Sequence, residues 1–69
     1  MTRKYIIFTT VYGKHILDIN EIIRFSQDGA KNIYCVYTSQ NDKSFEFKDR
    51  ETRDNVFENL IKLTRPVDV

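Results

Sequence analysis

The sequence predicts an α+β domain: an antiparallel β-meander of four to five short strands packed on one C-terminal amphipathic helix. Three observations predict it. Apolar residues recur at every second position in short runs between Lys4 and Lys48, the pattern of strands with one face buried. Turn-forming residues punctuate those runs at Gly13, at Asp28-Gly29 and at Gln40-Asn41-Asp42-Lys43. Beyond Asp49 the apolar period lengthens to that of a helix. No internal repeat, low-complexity tract or linker interrupts the chain, so residues 1–69 read as a single domain.

The first predicted strand spans 4–12 and is rich in β-branched and aromatic residues. It is apolar on both sides, with Ile6 and Phe8 on one and Tyr5, Ile7 and Val11 on the other. Gly13-Lys14 is read as the turn into a second strand, 15–19, in which His15, Leu17 and Ile19 alternate with Ile16 and Asp18. Asn20-Glu21 bends the chain into a third strand, 22–27. There Ile23 and Phe25 are assigned to the core side and Ile22, Arg24 and Ser26 to the other. Asp28-Gly29 is a hairpin signal. A fourth strand at 32–39 sets Ile33, Cys35 and Tyr37 against Tyr34, Val36 and Thr38. A fifth at 44–48 sets Phe45 and Phe47 against Ser44, Glu46 and Lys48.

The helix is predicted over 50–64. Val56, Phe57, Leu60, Ile61 and Leu63 form its apolar stripe. Asp49 suits the N-cap and Glu51 the positive end of the dipole. Glu58 and Lys62 make a favourable i,i+4 pair, Arg65 suits the negative end, and Pro66 marks the stop. Arg53 falls inside the apolar stripe. Its stem is expected to pack while the guanidinium reaches solvent or pairs with Asp49; the alternative is a partner contact at an interface rim.

With 69 residues the chain buries only about 60% of its unfolded surface, and a domain this small usually needs a staple. A disulfide within one chain is excluded, because Cys35 is the single cysteine. His15 is the single histidine and no Cys/His cluster accompanies it, so neither a metal nor any other cofactor is expected. What remains is an economical core or self-association. The net charge of +1 gives no long-range attraction for nucleic acid or anionic membrane. No apolar run approaches the ~20 residues of a membrane span. The run Tyr5 to Phe8 is shorter than the roughly 7–15 apolar residues of a signal-peptide core. With a lone cysteine, these features point to a soluble protein of the cytoplasm.

Catalytic constellations are weak. Cys35 and His15 are the one nucleophile–base combination, but Cys35 sits mid-strand among apolar residues, where cysteine is normally buried and inert. Asp42 with Glu46, and Asp49, Glu51, Asp54 and Glu58 on the helix, are carboxylates interleaved with cations, as on a solvated face. Gly13 and Gly29 are isolated, so no phosphate-cradling loop exists. A non-enzymatic chain is expected.

A stronger signal is the surplus of apolar side chains. One helix covers one face of a sheet, yet Tyr5, Ile7, Val11, Ile16, Ile22, Tyr34 and Val36 lie on the other side by alternation. An uncovered apolar face marks an interaction site. The alternative is that strong sheet coiling brings both faces into one core. On the first reading the chain is a protein-binding module with Tyr5, Ile7, Val11, Tyr34 and Val36 as anchors and Lys4, Lys14 and Arg24 at the rim. The partner would be a second copy, giving a homodimer, or another protein. The small size suits a regulator or inhibitor of the phage or plasmid accessory type. The same rings and cations suit stacking on single-stranded nucleic acid, which is the alternative function.

The segment Ser44-Phe45-Glu46-Phe47-Lys48-Asp49, running into Val56-Phe57-Glu58-Asn59-Leu60, resembles the last strand and helix of pleckstrin-homology-like domains, although the helix tryptophan of that family is missing. The strands-then-helix layout is similar to one repeat of the purine-rich-element-binding proteins, which implies single-stranded nucleic-acid binding. No motif carries over residue by residue from either family.

Overall fold

In the computed structural model, which describes residues 4–37 and 41–68, five antiparallel strands in two sheets are closed by one C-terminal helix. β1 (Tyr5–Thr10) pairs with β2 (Gly13–Asp18). A 3-10 turn, Ile19–Glu21, separates this hairpin from a second sheet of order β3-β4-β5. That sheet comprises β3 (Ile22–Asp28), β4 (Asn32–Tyr37) and β5 (Asp42–Glu46). The helix α1 (Arg50–Thr64) packs on β4 and on the 3-10 turn. The α+β meander with one closing helix is therefore as the sequence predicts, whereas its division into two sheets is not. The tight 3-10 turn, capped where Asp18 Oδ1 accepts from the Asn20 amide at 3.0 Å, interrupts pairing between the halves.

Backbone joins the halves where the Val11 amide donates to Glu46 O at 3.0 Å; within the second half the Phe47 amide donates to Lys31 O at 2.9 Å. The end of β5 is thus held from both sides. Ile6 and Phe8 from β1 join Ile19, Ile33, Cys35, Phe45, Phe47 and Leu60 in one buried cluster, with Leu17, Ile22, Phe25, Tyr37, Val56, Phe57 and Leu63 packed around it. The Phe8 ring lies 5.1 Å from Phe45, edge to face, and 5.6 Å from Phe47. Each fully buried aliphatic or aromatic side chain here stabilises the fold by about 1.5–3 kcal/mol. Phe25 meets Phe57 of the helix edge to face at 5.4 Å.

Local chemistry explains where the elements stop. The first turn lies at Val11-Tyr12, two positions before the predicted Gly13-Lys14. Thr10 Oγ1 accepts from the Tyr12 amide at 3.1 Å and contacts Gly13 O at 3.3 Å, which closes the turn early. Gly13, with φ 122°, supplies the positive φ that lets Val11 and Tyr12 keep ordinary angles. β2 accordingly starts earlier than predicted and ends at Asp18, and Ile19 is buried from the 3-10 turn rather than from a strand. Gly29, at φ 65°, turns β3 into β4 where Asp28-Gly29 predicts it. The predicted end of the fourth strand, 38–39, lies outside the described residues. β5 runs over Asp42–Glu46 rather than 44–48, yet Phe47 just beyond it is fully buried.

Ile23 is corrected from core to surface. The β3–β4 register shifts between Ile22 and Arg24, and this bulge turns Ile22 toward the core and leaves Ile23 63% exposed. The helix keeps its predicted bounds. Asp49 Oδ1 accepts from the Thr52 amide at 2.7 Å, and these hydrogen bonds from Thr52 hold the Asp49 carboxyl below its ordinary range. At the other end Arg65 takes a left-handed conformation (φ 52°), its amide donating to Ile61 O at 2.9 Å.

Arg53 departs from both readings made of it. Only 5% exposed, it neither reaches solvent nor pairs with Asp49. Its Nη1 donates to the carbonyls of Asn32 at 3.0 Å and Gly29 at 3.3 Å, and its Nε to Asp54 Oδ1 at 2.7 Å. Gln27 Nε2 donates to the same Asp54 oxygen at 3.1 Å. The guanidinium therefore clamps the β3–β4 turn to the helix, and its burial is compensated by charge-assisted hydrogen bonds.

Candidate docking face

The outer side of the β1–β2 hairpin carries the candidate site. Register fixes its composition: Tyr5 lies opposite Asp18, Ile7 opposite Ile16, and Thr9 opposite Lys14. The intervening residues Ile6, Phe8 and Thr10 are buried, so alternation leaves Tyr5, Ile7 and Thr9 pointing away from the core. On β2, His15 rests its ring on Phe8 and Phe45 and Leu17 packs on the core, which puts Lys14, Ile16 and Asp18 on the outer side. The result is an apolar strip with Tyr5 56%, Ile7 61%, Ile16 63% and Val11 48% exposed. Tyr12 stands at the hairpin tip, and Lys4 at the opposite end is also exposed.

The expected anchors separate into two groups. Tyr5, Ile7 and Val11, with Lys14, share this hairpin face. Tyr34, Val36 and Arg24 lie on the second sheet, with Arg24 opposite Val36 in register. Tyr34 and Val36 are half-buried. Tyr34 is engaged within the sheet: its hydroxyl donates to Asp42 Oδ2, which raises its phenol above the ordinary value. Ile16 joins the first group although it stands outside the predicted anchor set. Its signal was present, since a tight turn after Thr10 places it across from Ile7.

The groups weighed for catalysis are arranged structurally. Burial pushes the Cys35 thiol from 9.0 up to about 11, which disfavours the thiolate a nucleophile needs. His15 Nε2 lies 3.0 Å from Thr10 Oγ1, at the turn. Asp54 is held by Arg53 and Gln27, and Asp42 by Tyr34. Among the described residues, no group of three or more His, Cys, Asp or Glu is placed to hold a metal ion, and no helix is long and apolar enough to cross a membrane. Open clefts among the described residues include one of about 260 Å³ lined by Thr9, Thr10, Lys48 and Thr52, and one of about 360 Å³ between Lys4, the 3-10 turn and Leu63.

Comparison with known proteins leaves this geometry as the basis for function: no family model, no curated protein and no solved structure matches the chain.

Proposed function

We propose that the chain is a non-enzymatic protein-binding module, of the small regulator or inhibitor kind, that docks through the outer face of the β1–β2 hairpin. One observation supports this reading. Ile7 and Ile16 sit directly opposite one another, and each keeps more than half of its surface in water, at 61% and 63%. Tyr5 and Val11 extend the strip. Neighbouring apolar groups left in water are a standing cost that a partner removes. The flanking Lys4 and Lys14 supply the polar rim that such patches carry.

A photo-crosslinking residue in place of Tyr5 tests the proposal in the full chain, with the same residue at the exposed helix position Glu58 as control. Protein adducts at position 5 well above those at position 58 are expected. Equal yields at the two positions would refute the docking face. Binding of a labelled single-stranded oligonucleotide that falls steeply with salt, and is lost on Lys4→Ala with Lys14→Ala, would replace protein docking by the nucleic-acid reading.

A further inference from the structure

We propose that the outer edge of β2 takes up an extended segment of the partner protein as an added antiparallel strand, with an apolar side chain beside Ile16 and, two positions further on, a carboxylate beside Lys14. The inference rests on the docking reading above and states how the partner attaches at the rim of that face.

The phase of the backbone opens this edge. Along an antiparallel pair, hydrogen-bonded and non-hydrogen-bonded residue pairs alternate. The Ile19 amide donates to Lys4 O at 2.9 Å, which makes Lys4 and Ile19 a hydrogen-bonded pair. Counted from there along the register, Ile6–Leu17, Phe8–His15 and Thr10–Gly13 are hydrogen-bonded, whereas Ile7–Ile16 and Thr9–Lys14 are not. Lys14 and Ile16 therefore aim both N–H and C=O away from β1. On β1 the groups of the same phase turn toward β5, where the Val11 amide donates to Glu46 O at 3.0 Å. β2 pairs with β1 alone, so among the described residues no strand lies on its far side. Each of the two residues offers one donor and one acceptor there, in the spacing that an extended chain matches. The other outer strand, β3, is spoiled for this use. Its register shifts at the bulge between Ile22 and Arg24, and Gln27 near its end is tied to Asp54 of the helix at 3.1 Å.

Side chains set the chemistry of the added strand. A residue paired with Ile16, which is 63% exposed, places its side chain on the same outer side and covers it. Antiparallel direction puts the residue two positions later beside Lys14. Lys14 is exposed and has no carboxylate partner among the described residues, so an acid at that position complements its charge and a base is repelled.

Amide hydrogen exchange of the full chain, read by NMR with and without a short synthetic peptide of β-branched residues that holds isoleucine and, two positions on, aspartate, tests this. In the free chain the Lys14 and Ile16 amides should exchange far faster than those of His15 and Leu17. The peptide should protect both. The same peptide with lysine in place of aspartate should bind about fivefold more weakly, and Lys14→Glu, with a thermal melt to confirm folding, should reverse that preference. Lys14 and Ile16 amides already protected in the free dilute chain overturn the inference. So does a peptide that fails to protect them at millimolar concentration, or that binds with no preference for aspartate. Protection that grows with the concentration of the chain alone, with dimers in sedimentation, gives the edge to a second copy and also overturns it. The docking reading survives each of these results if crosslinks at Tyr5 exceed those at position 58. If they do not, the docking reading itself fails.

Discussion

The outer surfaces of the two sheets differ in how their apolar residues are placed. In both sheets alternation supplies the common core, with Ile6 and Phe8 from β1, Ile33 and Cys35 from β4 and Phe45 from β5, although Gln27 and Lys43 on the same rows stay exposed. On β3, β4 and β5 the outward positions hold Arg24, Ser26, Tyr34, Val36, Asp42, Ser44 and Glu46, mostly polar and partly tied to one another, as by Tyr34 to Asp42, while Ile23 at the bulge is 63% exposed. On β1 and β2 they hold Tyr5, Ile7 and Ile16, each more than half in water, together with Thr9, Lys14 and Asp18, and Val11 in the turn is 48% exposed. The contrast teaches that alternation alone does not fix what an outer face carries: the hairpin sets Ile7 and Ile16 side by side in water, whereas Ile23 on the larger sheet stands at a bulge.

That contrast can be broken by substitution. The largest effect is expected at Leu60, 1% exposed beneath the second sheet. Leu60→Asp buries a carboxylate in the core and should abolish cooperative melting, because the penalty exceeds the stability of about 5 kcal/mol that a domain this small holds. A soluble variant with a sharp melt would show that the helix stripe is not the core. Next is Arg53→Met, which keeps the stem and removes the donors to Gly29 and Asn32. Leaving those carbonyls without partners should cost about 2–3 kcal/mol in denaturant titration. Loss below 0.5 kcal/mol would mean, within the usual spread of surface changes, that the clamp is idle.

A smaller effect comes from Cys35. Its folded thiol titrates near 11 against 9.0 when unfolded. Its contribution is fully present below pH 9.0 and is lost as pH rises through about 11. Melting temperature should therefore decline over that window in the wild type and less so in Cys35→Ala, compared at each pH with its own neutral value. Slow thiol labelling of the native chain should accompany it. The smallest effect is expected on the hairpin face: Ile16→Thr should change monomer stability by no more than about 0.5 kcal/mol while weakening association. A large loss of monomer stability there would erase the distinction between the two surfaces.

Much of this was legible from residue order. The change of apolar period placed the helix and Asp49 its first turn, because both signals are local. Tyr5, Ile7 and Val11 opposite Ile6 and Phe8 followed from alternation alone. What escaped depended on contacts that residue order does not display. Thr10 moved the first turn through its own hydroxyl, and with it the register that makes Ile16 the partner of Ile7. A bulge exchanged the roles of Ile22 and Ile23. Arg53 is buried because the helix runs past two turn carbonyls, a fact of tertiary placement. Tyr34 and Val36 lie on a different sheet from Tyr5 and Ile7 because the sheet divides at the 3-10 turn.

The clasp on the end of β5 bears on how the chain assembles. The β1–β2 hairpin is local in sequence and can close as soon as it is made. Its inward-facing Phe8, however, finds its cover in Phe45 and Phe47, which follow it by three intervening strands. The hairpin's inner side is therefore completed only once both of those rings are in place, later in the chain than its own turn.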